Sequence, residues 1–308
     1  MKKEVFTCIS SSDHLSLDGF SIIPEGEIKG IVQICHGMAE HKERYEPFMI
    51  FLAENGYGSY IHDHRGHGKS CKSRDDLGYF YEENAKAIIS DVYDVTQLIQ
   101  QRFPNVPIVL FGHSMGSLVV RQYLKRYDDQ IQALIVCGSP SENKMAKVAL
   151  KLVHILEKKY GDHHRSQLIQ NMAFGSFDKK FKEKQENSWL SANPENVARY
   201  NACEDDGYIF TLNGFKNLFT MMYEVYQPTG YQKKHLDIPI FFIAGEEDPV
   251  IVSKKNWLAA QDVLRQQGYT HIENHLYTGM RHEILNEIEC QKVYEDILQF
   301  IQRNRITK

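Results

Sequence analysis

The sequence predicts an α/β fold, a mostly parallel central sheet with helices on both faces. Short β-type runs alternate with helix-period patterns along the chain, the signature of βαβ units. Several of those runs are continuous apolar stretches rather than alternating ones, as in strands covered on both faces. At 308 residues the chain can also bury a large core without disulfide staples, and 42% hydrophobic with 25% charged residues excludes a disordered or fibrous protein.

The elements follow in order. VFTCI (5–9) and FSIIP (20–24) are short strand runs, and GIVQICH (30–36) is a buried one. Pro47 suits the first turn of a helix over 46–55, which Asn55-Gly56 ends. After the strand run YGSYIHD (57–63), residues 85–103 place Ile88, Val92, Val95, Ile99 and Phe103 on one helical stripe. VPIVLFG (106–112), QALIVCG (132–138), IPIFFIAG (238–245) and ENHLYTG (273–279) complete eight strands. The last helix spans 283–303, with Ile284, Ile288, Tyr294, Ile297, Leu298 and Ile301 on its apolar side.

One stretch breaks the alternation. Residues 141–235 hold no buried strand run, but 144–160 and 213–226 are amphipathic, and Asn193-Pro194 reads as an N-cap followed by a first-turn proline. About 95 residues between two strands is too long for a loop. The expectation is a helical cap, inserted after the sixth strand, over a core made of 1–140 and 236–308. Such insertions emerge where ligands of open α/β sheets bind, outside the carboxyl ends of the strands. The lysines within 179–184 could attract an anionic headgroup, although a solvated face is the simpler reading.

Charge and targeting signals narrow the partners. With 36 basic and 40 acidic residues, net −4, no nucleic-acid footprint is visible. Apolar runs stop at about 8 residues, short of the roughly 20 that span a bilayer. The N-terminal MKKEVFTCISSSDHLS has no apolar h-region. Six scattered cysteines without a C-x-x-C pair read as free thiols of a reducing cytoplasm, with Cys35 and Cys137 as core residues.

The strongest chemical signal is Gly112-His113-Ser114-Met115-Gly116, a G-x-S-x-G between an apolar strand and an amphipathic helix. A sharp strand-to-helix turn lifts the serine oxygen above the sheet, and the helix N-terminus presents free N–H groups to the reacting atom. A serine hydroxyl needs a base and an orienting carboxylate, which in this architecture follow in that chain order: serine, acid, histidine. The loop after 238–245 offers Glu246, Glu247 and Asp248, of which Asp248 beside Pro249 is the first choice and Glu247 the competitor. The loop after 273–279 offers His282, with His271 and His275 as rivals. Oxyanion donors are expected from the backbone N–H of Met115 and, in the His36-Gly37-Met38 loop, of Met38.

HGMAEHKERY (36–45), DHRGHGKS (63–70), FGHSMGS (111–117), GSP (138–140), AGEEDPV (244–250) and GMRHEILNE (279–287) together resemble the successive motifs of one α/β-hydrolase group. It comprises the monoacylglycerol lipases and bacterial lysophospholipase-like serine hydrolases. FGSFDKKF (174–181) and SWLSANPENVARY (188–200) are similar to its bacterial members. The resemblance implies an α/β-hydrolase fold and a cofactor-free, metal-free serine esterase acting on single-chain acyl esters beneath a helical cap. Ser114, Asp248 and His282 stand at the triad positions, Met38 and Met115 at the oxyanion positions, and Asp63, Arg65, Gly66, His67 and Gly68 match a supporting D-x-R-G-H-G segment. Where bacterial relatives often carry Cys-Gly, this chain has Cys203-Glu204-Asp205-Asp206-Gly207. Phe181, Trp189, Phe215, Phe219, Met221 and Met222 either line an acyl channel or form the cap's own core. An amphipathic cap could also touch a membrane transiently.

Three rivals remain. His62, His64 and His67 spell H-x-H-x-x-H, close to a zinc motif, although Gly66 replaces its aspartate. A catalytically dead binding module would keep the fold. An esterase for short or aryl esters, or an aminopeptidase, would use the same residues.

Overall fold

The computed structural model describes residues 1–183 and 185–306; Lys184, at the end of the lysine run, and Thr307 and Lys308, at the end of the core range, lie outside the described residues. Eight strands form one sheet: β1 Lys2–Ile9, β2 Ser16–Ile23, β3 Gly30–Cys35, β4 Tyr57–His62, β5 Ile108–His113, β6 Ala133–Cys137, β7 Ile240–Gly245 and β8 Ile272–Tyr277. The order is β1-β2-β4-β3-β5-β6-β7-β8. β1–β2 and β2–β4 pair antiparallel, and every later pair is parallel. All eight strand expectations are met within a few residues.

The burial pattern explains the continuous apolar runs. Strands β3 to β7 are buried at every position, whereas the edges β1 and β8 alternate or face solvent. On one face Ile31, Leu110 and Val136 pack with helices α2 (Ala87–Arg102), α3 (Met115–Tyr127) and α8 (Lys254–Gln267). On the other Val32, Phe111 and Ile135 pack with α1 (Glu46–Glu54) and α9 (Cys290–Arg303). Each side chain moved from water into such a layer contributes about 1.5–3 kcal/mol. The helix expected over 283–303 is divided: a 3₁₀ turn, Ile284–Asn286, precedes α9, and Ile288 is exposed.

Between β6 and β7 the insertion forms α4 (Ala146–Tyr160), α5 (Gln167–Phe174), α6 (Pro194–Ala202) and α7 (Leu212–Glu224). Asn193 caps α6, its side chain accepting from the Glu195 N–H with Pro194 in the first turn. Ser166 and Thr211 cap α5 and α7 the same way. Among the described residues no helix is long and apolar enough to cross a membrane.

Candidate active site

Ser114 stands between β5 and α3 with φ 53° and ψ −116°, a left-handed conformation that a non-glycine residue rarely adopts. The flanking glycines make that turn possible. A Cβ at Gly112 would collide with the Gly116 backbone, and one at Gly116 with the Cys35 carbonyl. Ser114 is thereby aimed above the carboxyl edge of the sheet, where the loops after β3, β7 and β8 also emerge.

Asp248 follows β7 and is buried. One carboxylate oxygen accepts from the Val250 N–H at 2.8 Å, and the other accepts from His282 Nδ1 at 2.9 Å. That bond fixes the imidazole with Nε2 directed away from the carboxylate. Glu247, the competing acid, is half exposed and sits 3.7 Å from Arg281. His271 and His275 are exposed on or beside the edge strand β8 and do not join the group. Trp189, from the insertion, packs on the His282 ring with centroids 5.0 Å apart.

The loop after β3 is held by its own side chains. His36, fully buried, donates from Nδ1 to the Gly37 carbonyl at 2.8 Å and accepts the His64 N–H on Nε2 at 2.9 Å. Both ring nitrogens are committed to a neutral tautomer, and burial takes the pKa down to about 4. Gripping the Gly37 carbonyl fixes the Gly37–Met38 peptide plane and hence the direction of the Met38 N–H. No acceptor among the described residues takes that N–H. Met115 opens α3, so its amide has no intrahelical acceptor either.

A charged network lies behind these loops. Glu40, buried, accepts from Gly37 N–H, from Tyr45 Oη at 2.9 Å and from Arg44 Nη1 at 2.8 Å, and faces His113 Nδ1 at 3.3 Å. Arg44 also donates to both oxygens of Glu283, at 2.7 and 2.6 Å. Burial opposes the charge on Glu40, yet the His113 hydrogen bond and the Arg44 guanidinium hold its carboxyl well below the usual carboxylate range. Burial likewise opposes protonation of His113, and Glu40 raises its pKa above the ordinary value.

Ser114, Met38, Met115 and His282 line one cavity of about 540 Å³. The insertion contributes apolar lining residues, Ile169, Phe174, Phe177, Leu218 and Phe219, together with polar ones such as Glu142, Lys144, Gln170 and Asn187. The six aromatic and methionine positions in question divide. Trp189, Phe219 and Met222 line the cavity, while Phe215 and Met221 are fully buried in the core. Phe181 instead stacks under the Arg281 guanidinium, 3.9 Å from the ring centroid. Sequence reasoning missed Ile169, Phe174 and Phe177, and the hydrogen-bonding roles of Glu40, Arg44, His113 and Glu283.

The H-x-H-x-x-H histidines do not converge as metal ligands. His62, His64 and His67 are buried at separate points, with ring centroids 5.2 Å (His62–His64) and 6.4 Å (His64–His67) apart. Among the described residues only His41, Cys203 and Asp206 bring three donor atoms within 4.8 Å of one another. Both Asp206 oxygens are engaged there, by His41 at 2.8 Å and by Arg44 at 3.6 Å. Arg65, of the D-x-R-G-H-G segment, pairs with Asp91 at 2.7 Å, and Asp63 pairs with Lys42 at 2.6 Å, so that segment braces the loop after β3.

The family model described as "Serine aminopeptidase, S33" matches residues 26–289, which take in the serine turn, Asp248 and His282. The chain belongs to that family. The chain is 25% identical over 278 residues to a monoacylglycerol lipase of Mycolicibacterium smegmatis, covering 90% of each chain. It is 29% identical over 185 residues to mouse monoglyceride lipase, covering 58% of this chain and 53% of that one. A thermostable carboxyl esterase of Bacillus coagulans, solved in complex with glycerol, superposes with a TM-score of 0.89 at 25% identity over 99% of both chains. The α/β-hydrolase fold read from the sequence is the fold of this family member.

Proposed function

We propose that this carboxylic ester hydrolase uses Ser114 as its nucleophile, with His282 as base and Asp248 as orienting acid. Its substrates are esters of a single acyl chain, monoacylglycerols or lysophospholipids, cleaved through an acyl-enzyme intermediate. One observation carries the reading: a strained serine at a helix N-terminus and a histidine bonded to a buried carboxylate line the same apolar cavity.

His282 accepts the Ser114 proton as the oxygen attacks the ester carbonyl, while Asp248 stabilises the imidazolium. The Met38 and Met115 amides receive the oxyanion, each such donor lowering the barrier by about 3 kcal/mol. His282 returns the proton to the leaving alcohol. Water then attacks the acyl carbonyl as it gives its proton to the same nitrogen, and His282 passes that proton to the Ser114 oxygen as the acyl–oxygen bond breaks and the fatty acid leaves. The residues themselves carry every proton transfer, so no cofactor is required.

Three features support the substrate class. The Mycolicibacterium smegmatis relative, a monoacylglycerol lipase, aligns over 90% of the chain. A cavity of about 540 Å³ lies within the range of small-ligand sites. Most of the lining that the insertion supplies is apolar, as an acyl chain requires. On this reading residues 141–235 form a cap over the core of 1–140 and 236–308. Met145, Val148 and Met172 line the cavity yet are 60%, 52% and 59% exposed, and they make the transient membrane contact through which lipid enters. Six unpaired cysteines fit a reducing compartment, the cytoplasm. A second reading, an esterase of short acyl esters on the same residues, draws on the similarity to the glycerol-bound carboxyl esterase.

The test is hydrolysis by wild type and Ser114→Ala on a matched panel: a medium-chain monoacylglycerol, a lysophosphatidylcholine, a short p-nitrophenyl ester and an aminoacyl arylamide. The expected result is preference for one of the lipids and loss of several orders of magnitude in the folded mutant. Activity confined to the short ester selects the second reading. Arylamide turnover selects an aminopeptidase, and turnover that survives Ser114→Ala overturns the nucleophile.

A further inference from the structure

We infer that Glu40 is a positioning residue for this reaction, holding the oxyanion loop, the serine turn and the His282 loop in one register. The inference rests on the serine-esterase reading above. Its ground is that a single buried carboxylate receives donors from, or passes its hold to, each of those loops.

The first arm is the oxyanion loop. Glu40 accepts the Gly37 N–H, while His36 donates to the Gly37 carbonyl. The peptides on either side of Gly37 are therefore held from opposite directions, and the Met38 N–H keeps one orientation without a partner of its own. That is the preorganisation an oxyanion donor needs: its direction is set before charge develops.

The second arm is the serine turn. His113, immediately before Ser114, places Nδ1 3.3 Å from Glu40 and 3.1 Å from Tyr45 Oη, and Nε2 3.1 Å from the His282 carbonyl. The carbonyl and the carboxylate are acceptors only, so the ring that satisfies both donates from both nitrogens. A protonated His113 bridges Glu40 to the backbone of His282 itself. A neutral ring would leave one of those contacts without a hydrogen.

The third arm is the His282 loop. Arg44 lies between Glu40 and Glu283, the residue after His282, and binds both carboxylates. Asn196 of the insertion donates to Glu283 at 2.6 Å. Three carboxylates (Glu40, Glu283 and Asp206) thus surround one guanidinium, with the imidazoles of His113 and His41 completing the cluster. Buried ion pairs add little net stability over packed apolar residues, because desolvation offsets the attraction. Their directional hydrogen bonds do set geometry, and here each one ends on a loop that carries a reacting group.

The experiment compares wild type, Glu40→Gln and Tyr45→Phe on an ester that wild type turns over through Ser114. Reactive sites are counted with a fluorophosphonate, and binding of an alkyl trifluoromethyl ketone, which forms an oxyanion on the serine, is measured for each. Glu40→Gln keeps the volume but must present an NH₂ to a cluster of donors. Its kcat/KM is expected to fall about 10²-fold with KM within a few-fold of wild type, the size of losing one oxyanion donor. Ketone affinity is expected to fall by the same factor, while fluorophosphonate labelling still reaches one equivalent. Tyr45→Phe, which removes the hydroxyl's contacts with Glu40 and His113 and no charge, should show the same parallel losses at about tenfold.

The inference is overturned if the count of reactive sites falls in step with activity, so that each remaining site works at the wild-type rate. Glu40 would then only keep the fold. It is equally overturned if ketone affinity stays unchanged while kcat drops. Should Glu40→Gln fail to fold, Tyr45→Phe carries both comparisons. Turnover that survives Ser114→Ala removes this inference and the reading beneath it together. Ser114-dependent turnover at wild-type rate in Glu40→Gln and Tyr45→Phe removes this inference alone.

Discussion

Residues 188–207 and residues 144–175 belong to the same insertion but are attached to different parts of the molecule. The first stretch is fastened to the loops of the candidate site by buried polar groups. Arg281 donates to the Ser188 and Ser191 carbonyls, and Leu190 accepts the Glu283 N–H at 2.7 Å. Glu287 accepts from Ser191 Oγ and from the Ala192 and Asn193 N–H groups. Gly207 N–H and Tyr200 Oη both donate to the Ala39 carbonyl. The second stretch, the α4–α5 hairpin, makes no hydrogen bond among the described residues to the loops bearing Ser114, Asp248 or His282. It packs on α7, and its polar ties run to residues 209–216 and 75–79. An insertion can thus be scaffold at one end and a cover at the other. On the proposed reading, directional bonds to the loops of the candidate site mark a scaffold, and exposed apolar side chains lining the cavity mark a cover.

The largest expected effect fixes the frame within which the two stretches differ. Asp248→Asn should lower kcat by about 10⁴-fold with the fold intact, since an amide leaves the His282 tautomer unspecified. Steady-state kinetics on any ester turned over by wild type checks this, and near-normal rates would move the acid to Glu247. Acid should next unfold the core and the 188–207 stretch together. His62 and His67 are fully buried, and desolvation brings their pKa down to about 3, against 6.5 when unfolded. Below pH 6.5 the unfolded chain binds more protons. Stability is therefore complete above that pH and falls as pH drops toward about 3, by up to about 1.4 kcal/mol per pH unit for each histidine. Urea titrations across pH 7 to 4 measure the slope; a flat profile would mean that these rings find partners or water. Smaller still is Glu287→Gln, which turns an NH₂ toward a set of donors. It should cost about 2–3 kcal/mol in urea unfolding and reduce activity, because it loosens the 188–193 segment that carries Trp189 onto His282. Loss of stability without loss of activity would make that segment cover rather than scaffold.

The contrast between the two stretches also explains what could be read from the chain and what could not. All eight strands were legible, because the central ones are mostly apolar runs and the rest are bounded by turn residues. So was the serine turn, because only glycines tolerate the close approaches beside Ser114. Asp248 and His282 were legible as the carboxylate and imidazole that follow late strands. Glu40, Arg44, Glu283 and Glu287 look in sequence like ordinary charged surface positions. Their burial depends on partners up to 239 positions away, as in Arg44 with Glu283, and no local period encodes that. Helix α7 failed differently. Phe215, Leu218, Phe219, Met221 and Met222 share one apolar face, on which the cavity-lining Leu218, Phe219 and Met222 alternate with the core residue Phe215, so helical phase does not say which of them meets the cavity.

The smallest expected effect separates the two stretches most sharply. Val148 on α4 and Met172 on α5 are exposed at the cavity mouth, so replacing either with a polar residue removes no core packing. Val148→Ser and Met172→Ser should shift unfolding free energy by less than about 0.5 kcal/mol, the usual range for surface changes. Their kcat/KM for a short soluble ester should match wild type, since among the described residues none of 144–175 hydrogen-bonds to the loops bearing Ser114, Asp248 or His282. A cover over an acyl channel still predicts one difference. KM for a long-chain lipid ester presented in vesicles should rise a few-fold, as should the lipid concentration needed for vesicle binding in a co-sedimentation assay. The comparison would break if these substitutions slowed the short ester as much as the lipid. The hairpin would then be acting on the chemistry, and the division between scaffold and cover would have to be drawn elsewhere in the insertion.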